Sequence, residues 1–270
     1  MTTDAQNKDE LTLNASQLQR AVAVLAEAYR RNVELPFPEG CAPRTMADGR
    51  MIRELLPACF GKKVVGWKIG HATETMRERI PDGPVIGRFF EGMIVETPAA
   101  FRPDEIINPF VEGEYAIRFG QALHPRESEY SIEEILEHVD AVIPAIEFAE
   151  FRAPGISPAD VVSGTALNAG AFRLIVGQPI NDWKNVDLNE LECHISLDGE
   201  VVAKEYRGPD RTDPMWSLHF VVNDLREQGI SIEEGQMLSS GAILPYMPIG
   251  DVKRAEFVVA DQAVALDIKP

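Results

Sequence analysis

The sequence predicts an α+β fold in which a helical N-terminal portion is followed by a β-rich region. Segments with helical spacing dominate the first sixty residues, whereas the middle and C-terminal parts consist mainly of strand-like segments with few helices. The chain shows no internal repeat and no low-complexity tract. We therefore expect a helical N-terminal extension over residues 1–60 and a separate domain over residues 61–270.

Two helices are predicted in the N-terminal portion. The first spans residues 14–31, where Asn14 or Ser16 can cap it. Its apolar stripe is formed by Leu18, Val22, Leu25 and Tyr29. A proline-rich loop over residues 32–44 separates it from a second helix over residues 45–56, which Thr45 can cap. The polar residues 1 to about 12 are expected to be disordered.

The rest of the chain is predicted to alternate short strands with two more helices. One helix spans residues 131–138, with Ser131 as its cap and Glu134 three residues later. The other spans residues 214–228 and ends at Gly229. Residues 81–87 form a turn-rich loop, and residues 197–200 a hairpin turn. The predicted strands are 64–69, 112–119, 141–151, 169–176, 193–197, 200–206, 236–239, 255–259 and 263–268.

Composition and charge exclude several classes of partner. The chain has 270 residues, a net charge of -17 and a pI of about 4.7, which argues against nucleic-acid binding. It contains no apolar run of membrane-helix length and no signal-peptide pattern at its start. Cys41, Cys59 and Cys193 are few and widely spaced, so we expect core residues in a reducing cytoplasm rather than disulfides or zinc ligands.

Three glutamates predict a site for a hard metal ion. Glu112 and Glu114 share one face of a strand, and Glu147 interrupts an apolar segment. Three converging carboxylates require a cation, and oxygen ligands suit Mg²⁺ or Mn²⁺. The alternative is a solvated strand face continued by Arg118. Glu150 falls on the face opposite Glu147 and is not expected to join this site.

Residues 45–268 resemble the fumarylacetoacetate hydrolase superfamily, in its 2-keto-4-pentenoate hydratase and 4-oxalocrotonate decarboxylase branch. The order and separation of several motifs carry the resemblance. They are Gly66-Trp67-Lys68-Ile69-Gly70, Pro109-Phe110-Val111-Glu112-Gly113-Glu114, Ile143-Pro144-Ala145-Ile146-Glu147, Asn168-Ala169-Gly170 and Ser239-Ser240-Gly241-Ala242.

The resemblance implies a mixed β-barrel or β-roll core over residues 61–270 and a cytoplasmic homo-oligomer, a dimer or larger, that acts in aromatic catabolism. It implies that a small 2-oxo acid, or its enol, is the substrate. Mg²⁺ or Mn²⁺ would be held by Glu112, Glu114 and Glu147. Substrate would be bound by Lys68, Asn168, Ser240 and Gly241.

The reaction type remains open at this stage. A metal-bound 2-oxo acid favours an enolate, which can serve hydration, decarboxylation or C–C hydrolysis. Hydration is the leading prediction from the branch resembled. Val85 and Leu167 stand where hydratases of the branch usually carry aspartate, and this favours a decarboxylase or hydrolase instead. A binder of 2-oxo acids without turnover is a third possibility.

Three further side chains are candidates for acid–base work. Lys68 is predicted to lie beside the metal and bind the substrate carboxylate or move protons, the alternative being a surface lysine on an edge strand. His71 and Glu74, spaced to share a helical face, could form a dyad that activates water; otherwise His71 caps a turn and Glu74 is solvated. Asp82 could supply the missing carboxylate. Arg211 belongs to a charged loop expected to be solvated, from which it could reach a distal carboxylate.

Overall fold

A computed structural model of the protein describes residues 10–80, 83–157 and 159–269. Its helices are α1 (Ala15–Arg31), α2 (Met46–Phe60), α3 (Glu74–Arg79), α4 (Ile132–Glu137), α5 (Val161–Ala166) and α6 (Pro214–Glu227). Its strands are β1 (Val64–Gly70), β2 (Val85–Phe90), β3 (Ile94–Glu96), β4 (Ala99–Phe101), β5 (Phe110–Phe119), β6 (Val139–Ala149), β7 (Arg173–Val176), β8 (Cys193–Leu197), β9 (Glu200–Lys204), β10 (Met237–Ser239), β11 (Met247–Pro248), β12 (Arg254–Val259) and β13 (Gln262–Ile268). The predicted α+β class is confirmed.

Two sheets build the β-rich region. Within the described ranges, the larger sheet contains eight strands in the order β2-β1-β10-β5-β6-β7-β3, with β11 paired to β5 outside this order. It is mixed, because β1 pairs with β10 and β3 with β7 in parallel, while β5 and β6 are antiparallel. The smaller sheet has the order β4-β13-β12-β8-β9. The predicted mixed, curved β core is confirmed.

Strand β5 separates the main core from the site. Its residues Val111, Tyr115 and Ile117 are fully buried in the cluster that also contains Phe257 of β12. Because side chains alternate along a strand, the intervening residues Glu112 and Glu114 point to the other face of the sheet. The apolar side chains of β5 therefore anchor the strand in the core, and its two glutamates lie on the opposite face of the sheet.

The N-terminal helices form as the local sequence predicts. Asn14 and Gln17 make a reciprocal capping box at the start of α1, and Thr45 caps α2. The two helices pack with Ala166 and Leu167 in a second apolar cluster. Helix α2 continues to Phe60, beyond its predicted end. The division into an extension over 1–60 and a domain over 61–270 stays a prediction.

Several short elements differ from the sequence-based expectation. Strand β2 begins at Val85, inside the predicted loop over 81–87, and it is buried along its whole length, so it lacks the alternation that would have marked it. The strand predicted over 169–176 begins only at Arg173, because Asn168 and Ala169 adopt positive φ angles. Helices α3 and α5 and strands β3, β4 and β11 were not predicted.

Other expectations have mixed outcomes. Cys41 and Cys193 are buried as expected, but Cys59 is exposed on α2, so its predicted core position was wrong. The disorder predicted for residues 1 to about 12 lies outside the described residues over 1–9, but it was wrong at Thr12, whose N–H and Oγ1 donate to the Asp48 carboxylate at 2.8 and 2.6 Å. The candidate carboxylate Asp82 lies outside the described residues. Among the helices of the described ranges, none has the length and apolar character needed to cross a bilayer.

Candidate active site

The three predicted glutamates converge. Glu112 on β5 lies directly opposite Glu147 on β6, and Glu114 follows two residues later on the same face of β5. Glu114 and Glu147 are buried and Glu112 is half-buried. One carboxylate oxygen from each of the three lies within 4.8 Å of the others. The solvated-face alternative was therefore wrong, because this face of β5 points into the protein.

The electrostatics of this group fit a divalent cation. Burial and the nearby Glu147 carboxylate together raise the pKa of Glu112 to about 7, although the charge of Lys68 opposes the rise. Burial and the carboxylates of Glu147 and Glu112 raise the pKa of Glu114 well above its ordinary value, against the charge of Lys68 and the hydrogen bond from Ser239. The buried Oε2 of Glu147 accepts no hydrogen bond from the described residues. The three carboxylates outnumber their one cationic neighbour, Lys68, and an all-oxygen donor set with this excess of negative charge suits Mg²⁺ or Mn²⁺.

Lys68 lies beside the carboxylates in the interior of the larger sheet. Its side chain is 4% exposed, and its Nζ donates a hydrogen bond to Oε1 of Glu147. Burial lowers the pKa of Lys68, but the charges of Glu147, Glu112 and Glu114 outweigh burial and leave the pKa raised. Strand β1 is flanked by β2 and β10. The surface-lysine alternative was therefore wrong.

A turn after β10 holds Glu114 in place. The Oγ of Ser239 and the backbone N–H of Gly241, at 2.8 Å, both donate to Oε2 of Glu114. Gly241 adopts a φ of +92°, which favours glycine, and a side chain there would press on Thr212. The Oγ of Ser240 instead accepts from the backbone N–H of Tyr115 at 3.2 Å.

A cavity of about 320 Å³ opens onto Glu112 and Glu114. Gly241 and His71 reach it, and its apolar wall is formed by Ile69, Met76, Phe110, Ala159, Ala242 and Tyr246. This volume suits a small organic acid. Sequence reasoning did not predict this wall, because its residues come from distant segments. The motifs contain three of them, Ile69, Phe110 and Ala242, but give no sign that they meet Met76, Ala159 and Tyr246.

His71 and Glu74 are not placed as their spacing predicts. His71 precedes α3 and has a φ of +58°, so the two residues do not share a helical face. His71 lines the cavity, whereas Glu74 is exposed at the first position of α3 and is absent from the cavity wall. The helical premise of the dyad was wrong, and the catalytic roles of both residues stay predictions.

The Asn168 side chain is engaged by the backbone. Its Oδ1 accepts from the N–H of Arg88 and its Nδ2 donates to the carbonyl of Arg88, both at 2.8 Å. Asn168 is 1% exposed and does not line the cavity. These contacts fix the turn before β7 against β2, and the predicted substrate contact of Asn168 stays a prediction.

Glu150 lies apart from the carboxylate group, as its position in the sequence predicts. It accepts the backbone N–H of Ile107 at 2.6 Å and forms a buried ion pair with Arg152 at 2.7 Å. The group of carboxylates that could hold a metal does not include it. Glu150 is thus a structural anion that compensates a buried arginine.

The two residues that depart from the hydratase pattern are apolar core residues. Val85 packs with Met46, Val161 and Ala169, and Leu167 lies in the cluster of the N-terminal helices. Neither residue lines the cavity. They supply no acid–base group to the site.

Arg211 was expected to be solvated, and this was wrong. It is 6% exposed, and its Nη2 donates to the carbonyls of Leu188 and Leu191 at 3.0 and 3.1 Å. It is not a cavity-wall residue. Arg211 therefore fixes the loop after β9 from behind the site.

The chain resembles known proteins in both sequence and structure. No family model matches the chain. A 2-keto-4-pentenoate hydratase of Paraburkholderia xenovorans (strain LB400) is 24% identical over 196 residues, 72% of each chain. The 2-oxo-hept-4-ene-1,7-dioate hydratase of Escherichia coli is 23% identical over 231 residues, 81% of this chain and 83% of the relative.

The fold matches a solved structure over almost its full length. The 4-oxalocrotonate decarboxylase from Pseudomonas putida G7, complexed with magnesium and adipate, superposes with a TM-score of 0.81 at 22% identity. The match covers 96% of this chain and 100% of that one. The chain has the fumarylacetoacetate hydrolase fold. The resemblance predicted from the sequence, to the hydratase and decarboxylase branch of that superfamily, is confirmed.

Proposed function

We propose that the protein is a metal-dependent hydratase of a small 2-oxo acid or its enol, of the 2-keto-4-pentenoate type. The observation that carries this proposal is the convergence of Glu112, Glu114 and Glu147 beside Lys68, at the end of a cavity for a small acid. Sequence relatives named as hydratases support hydration as the reaction.

Each of these side chains has a proposed role. Glu112, Glu114 and Glu147 would hold Mg²⁺ or Mn²⁺, which when bound acts as a Lewis acid toward the 2-oxo group. Ser239 and the Gly241 N–H keep Glu114 oriented.

Lys68 stays cationic beside Glu147, where it would bind the substrate carboxylate or move a proton. His71 reaches the cavity from the end of β1 and would accept a proton from water there. The apolar wall would receive the hydrocarbon end of the substrate.

A decarboxylase of 2-oxo acids is the second candidate. Val85 and Leu167 are buried apolar residues that cannot replace the aspartates used to activate water. Loss of CO₂ requires no activated water, so this feature favours decarboxylation. The structural neighbour named as a decarboxylase agrees with this alternative.

Product analysis with Mg²⁺ separates the candidates. The protein is given 2-hydroxypenta-2,4-dienoate, 4-oxalocrotonate or an acylpyruvate. Loss of the diene absorbance with the gain of one water supports the hydratase. Release of CO₂ supports the decarboxylase, and cleavage into two carbon fragments supports a C–C hydrolase. If none of the three is converted, the result favours either a binder without turnover or an enzyme for a different substrate.

We propose that the enzyme acts in the cytoplasm. We also propose that it forms a homodimer or a larger homo-oligomer. Strand β9 lies at an edge of the smaller sheet and carries the exposed apolar side chains of Val201 and Val202, which supports association through this edge. A single species near the 29.9 kDa chain mass in sedimentation at micromolar concentration would contradict the oligomer.

A further inference from the structure

A second and larger cavity, of about 560 Å³, lies apart from the carboxylate site. It is bounded by α1, the end of α2 and the turn between β2 and β3, and it shares no lining residue with the first cavity. Aromatic rings form much of its wall: Tyr29, Phe60, Phe90 and Phe172. This cavity has no role in the proposed reaction.

The rim of the second cavity carries charges that are largely paired. Arg30 forms an ion pair with Glu27 of the same helix. Arg102 pairs with Asp104 at 3.0 Å and with Glu105 at 3.5 Å. These exposed pairs contribute little net charge to the cavity.

Two arginines deeper in the wall are not balanced in this way. Glu150 forms an ion pair with Arg152 at 2.7 Å. Arg173 feels the charges of Glu150 and Glu105 but forms no ion pair with either within the described ranges. Burial lowers the pKa of Arg173, and the charge of Arg152 lowers it further. The inner wall of the cavity therefore has an excess of positive charge.

The orientation of the two arginines is fixed by an aromatic ring. The guanidinium carbons of Arg152 and Arg173 lie 4.9 and 4.3 Å from the centre of the Phe172 ring. Arg152 is 2% exposed, and its Nε and Nη1 make no hydrogen bond with the described residues. Buried donors of this kind are normally satisfied, and a planar guanidinium is suited to a carboxylate or phosphate.

We propose that this second cavity binds an organic anion: a carboxylate or phosphate ester that carries an aromatic or apolar group. The anionic head lies against Arg152 and Arg173, and the apolar group packs against the touching rings of Phe60 and Phe90, which form part of the cavity wall. A bound anion would connect α1 and α2 to β7, whose neighbour β6 carries Glu147. This inference does not depend on the reaction catalysed.

Calorimetric titration of the full Mg²⁺-loaded protein tests the inference. The probes are benzoate and phenyl phosphate, and benzyl alcohol is the neutral control. At least one anionic probe is expected to bind with millimolar or better affinity, and benzyl alcohol at least tenfold more weakly. Preference between the two anions identifies the head group. If neither anion binds up to about 10 mM, the proposal is rejected.

Matched variants locate the binding. Arg173→Gln should weaken the anion about tenfold, as expected for one charge-assisted hydrogen bond. Arg102→Gln, at the rim of the same cavity, should change the affinity less than twofold. If Arg173→Gln does not fold, Arg173→Lys replaces it in the test, because it keeps the charge. Arg173→Lys should weaken binding less than Arg173→Gln. An unchanged affinity in whichever of the two variants folds rejects the site. Loss of binding in Glu114→Gln instead would place the probe on the metal.

Discussion

Lys68 on β1 donates a hydrogen bond to Glu147 on β6, although strands β10 and β5 lie between them in the sheet. Three strand spacings in a flat sheet amount to about 14 Å, too far for these two side chains to meet. The larger sheet must therefore curl around its polar face. The curvature brings a lysine and a glutamate that are 79 positions apart in the sequence into one ion pair.

Glu114→Gln should mainly weaken metal binding, whereas Glu150→Gln should mainly lower the stability of the fold. Glu114→Gln should lower metal affinity by roughly 100-fold or more. Mutation of a residue that only hydrogen-bonds to a metal ligand already lowers the affinity roughly 10- to 100-fold, and loss of a ligand should cost more. Glu150→Gln should keep the metal but lose about 3 kcal/mol of stability, because Arg152 is left buried without its anion. Metal titration and thermal melting measure the two effects. Loss of metal binding in Glu150→Gln would contradict the assignment of the ligands.

Lys68→Met should separate metal binding from turnover. Removing a cation beside three carboxylates should tighten the metal by roughly tenfold, because like charges no longer repel. Turnover should fall by roughly 10²-fold or more if Lys68 binds substrate or moves a proton. Calorimetry with Mg²⁺ and steady-state kinetics supply the two numbers. Weaker metal binding with unchanged turnover would refute the role of Lys68.

His71→Ala and Glu74→Gln test the predicted dyad one residue at a time. His71 lines the cavity, so its removal should reduce turnover by roughly 10²- to 10⁴-fold while metal affinity barely changes. Glu74 is exposed, and its substitution should change turnover less than about threefold. An equal loss of turnover in both variants would support the dyad of His71 and Glu74. Normal turnover in His71→Ala would favour decarboxylation as the reaction.

Substrates with a neutral tail should be preferred over dicarboxylates. The part of the cavity wall that the structure describes contains no lysine or arginine to pair with a second carboxylate. Burial of an unpaired charge is costly. The value of kcat/KM should therefore be at least about tenfold higher for 2-hydroxyhexa-2,4-dienoate than for an otherwise similar diacid. The reverse preference would contradict this interpretation of the wall.

Asp48 should make stability fall at acid pH. Burial raises the pKa of Asp48, but hydrogen bonds from Thr12, Arg44 and Leu13 outweigh it and hold the pKa below its ordinary 3.8. A depressed pKa stabilises the fold above pH 3.8, and this stability is lost as the pH falls through the pKa of the folded state.

Asp48→Asn should remove this pH dependence together with roughly 1.5–3 kcal/mol at pH 7, the usual value of hydrogen bonds to a charged group. Urea unfolding between pH 2.5 and pH 7 measures both effects. Wild-type and variant curves that stay parallel over this range would show that Asp48 contributes no pH-dependent stability.

The features that could be predicted from the sequence are those that depend on residues close together in the chain. The caps of α1 and α4 depend on residues three positions apart, Asn14 with Gln17 and Ser131 with Glu134, and both helices begin where predicted. The three glutamates were predictable because strand alternation and an interrupted apolar segment are also local patterns. Strand β2 was not, because a fully buried strand that follows prolines looks like a loop.

The rest of the site depends on long-range approach. Ser239 and Gly241 reach Glu114 from 125 and 127 positions away. The positive φ of His71, which removes it from α3, follows from the bend at the end of β1 and from no feature of residues 71–74 taken alone. Spacing in the sequence therefore predicted the carboxylates that could hold a metal better than it predicted the residues that orient them.

Gly113 separates the two glutamates of β5, and the aromatic ring of Phe257 occupies the space where a side chain would be. A β-carbon placed on Gly113 would come within 2.5 Å of that ring. An exchange of the glycine for any larger residue would therefore require either the ring of Phe257 or the strand that carries both carboxylates to move. Glutamate-glycine-glutamate is thus a stricter sequence signature for this protein than two glutamates with an arbitrary residue between them. Related chains with a bulky central residue should carry a smaller partner at the position of Phe257.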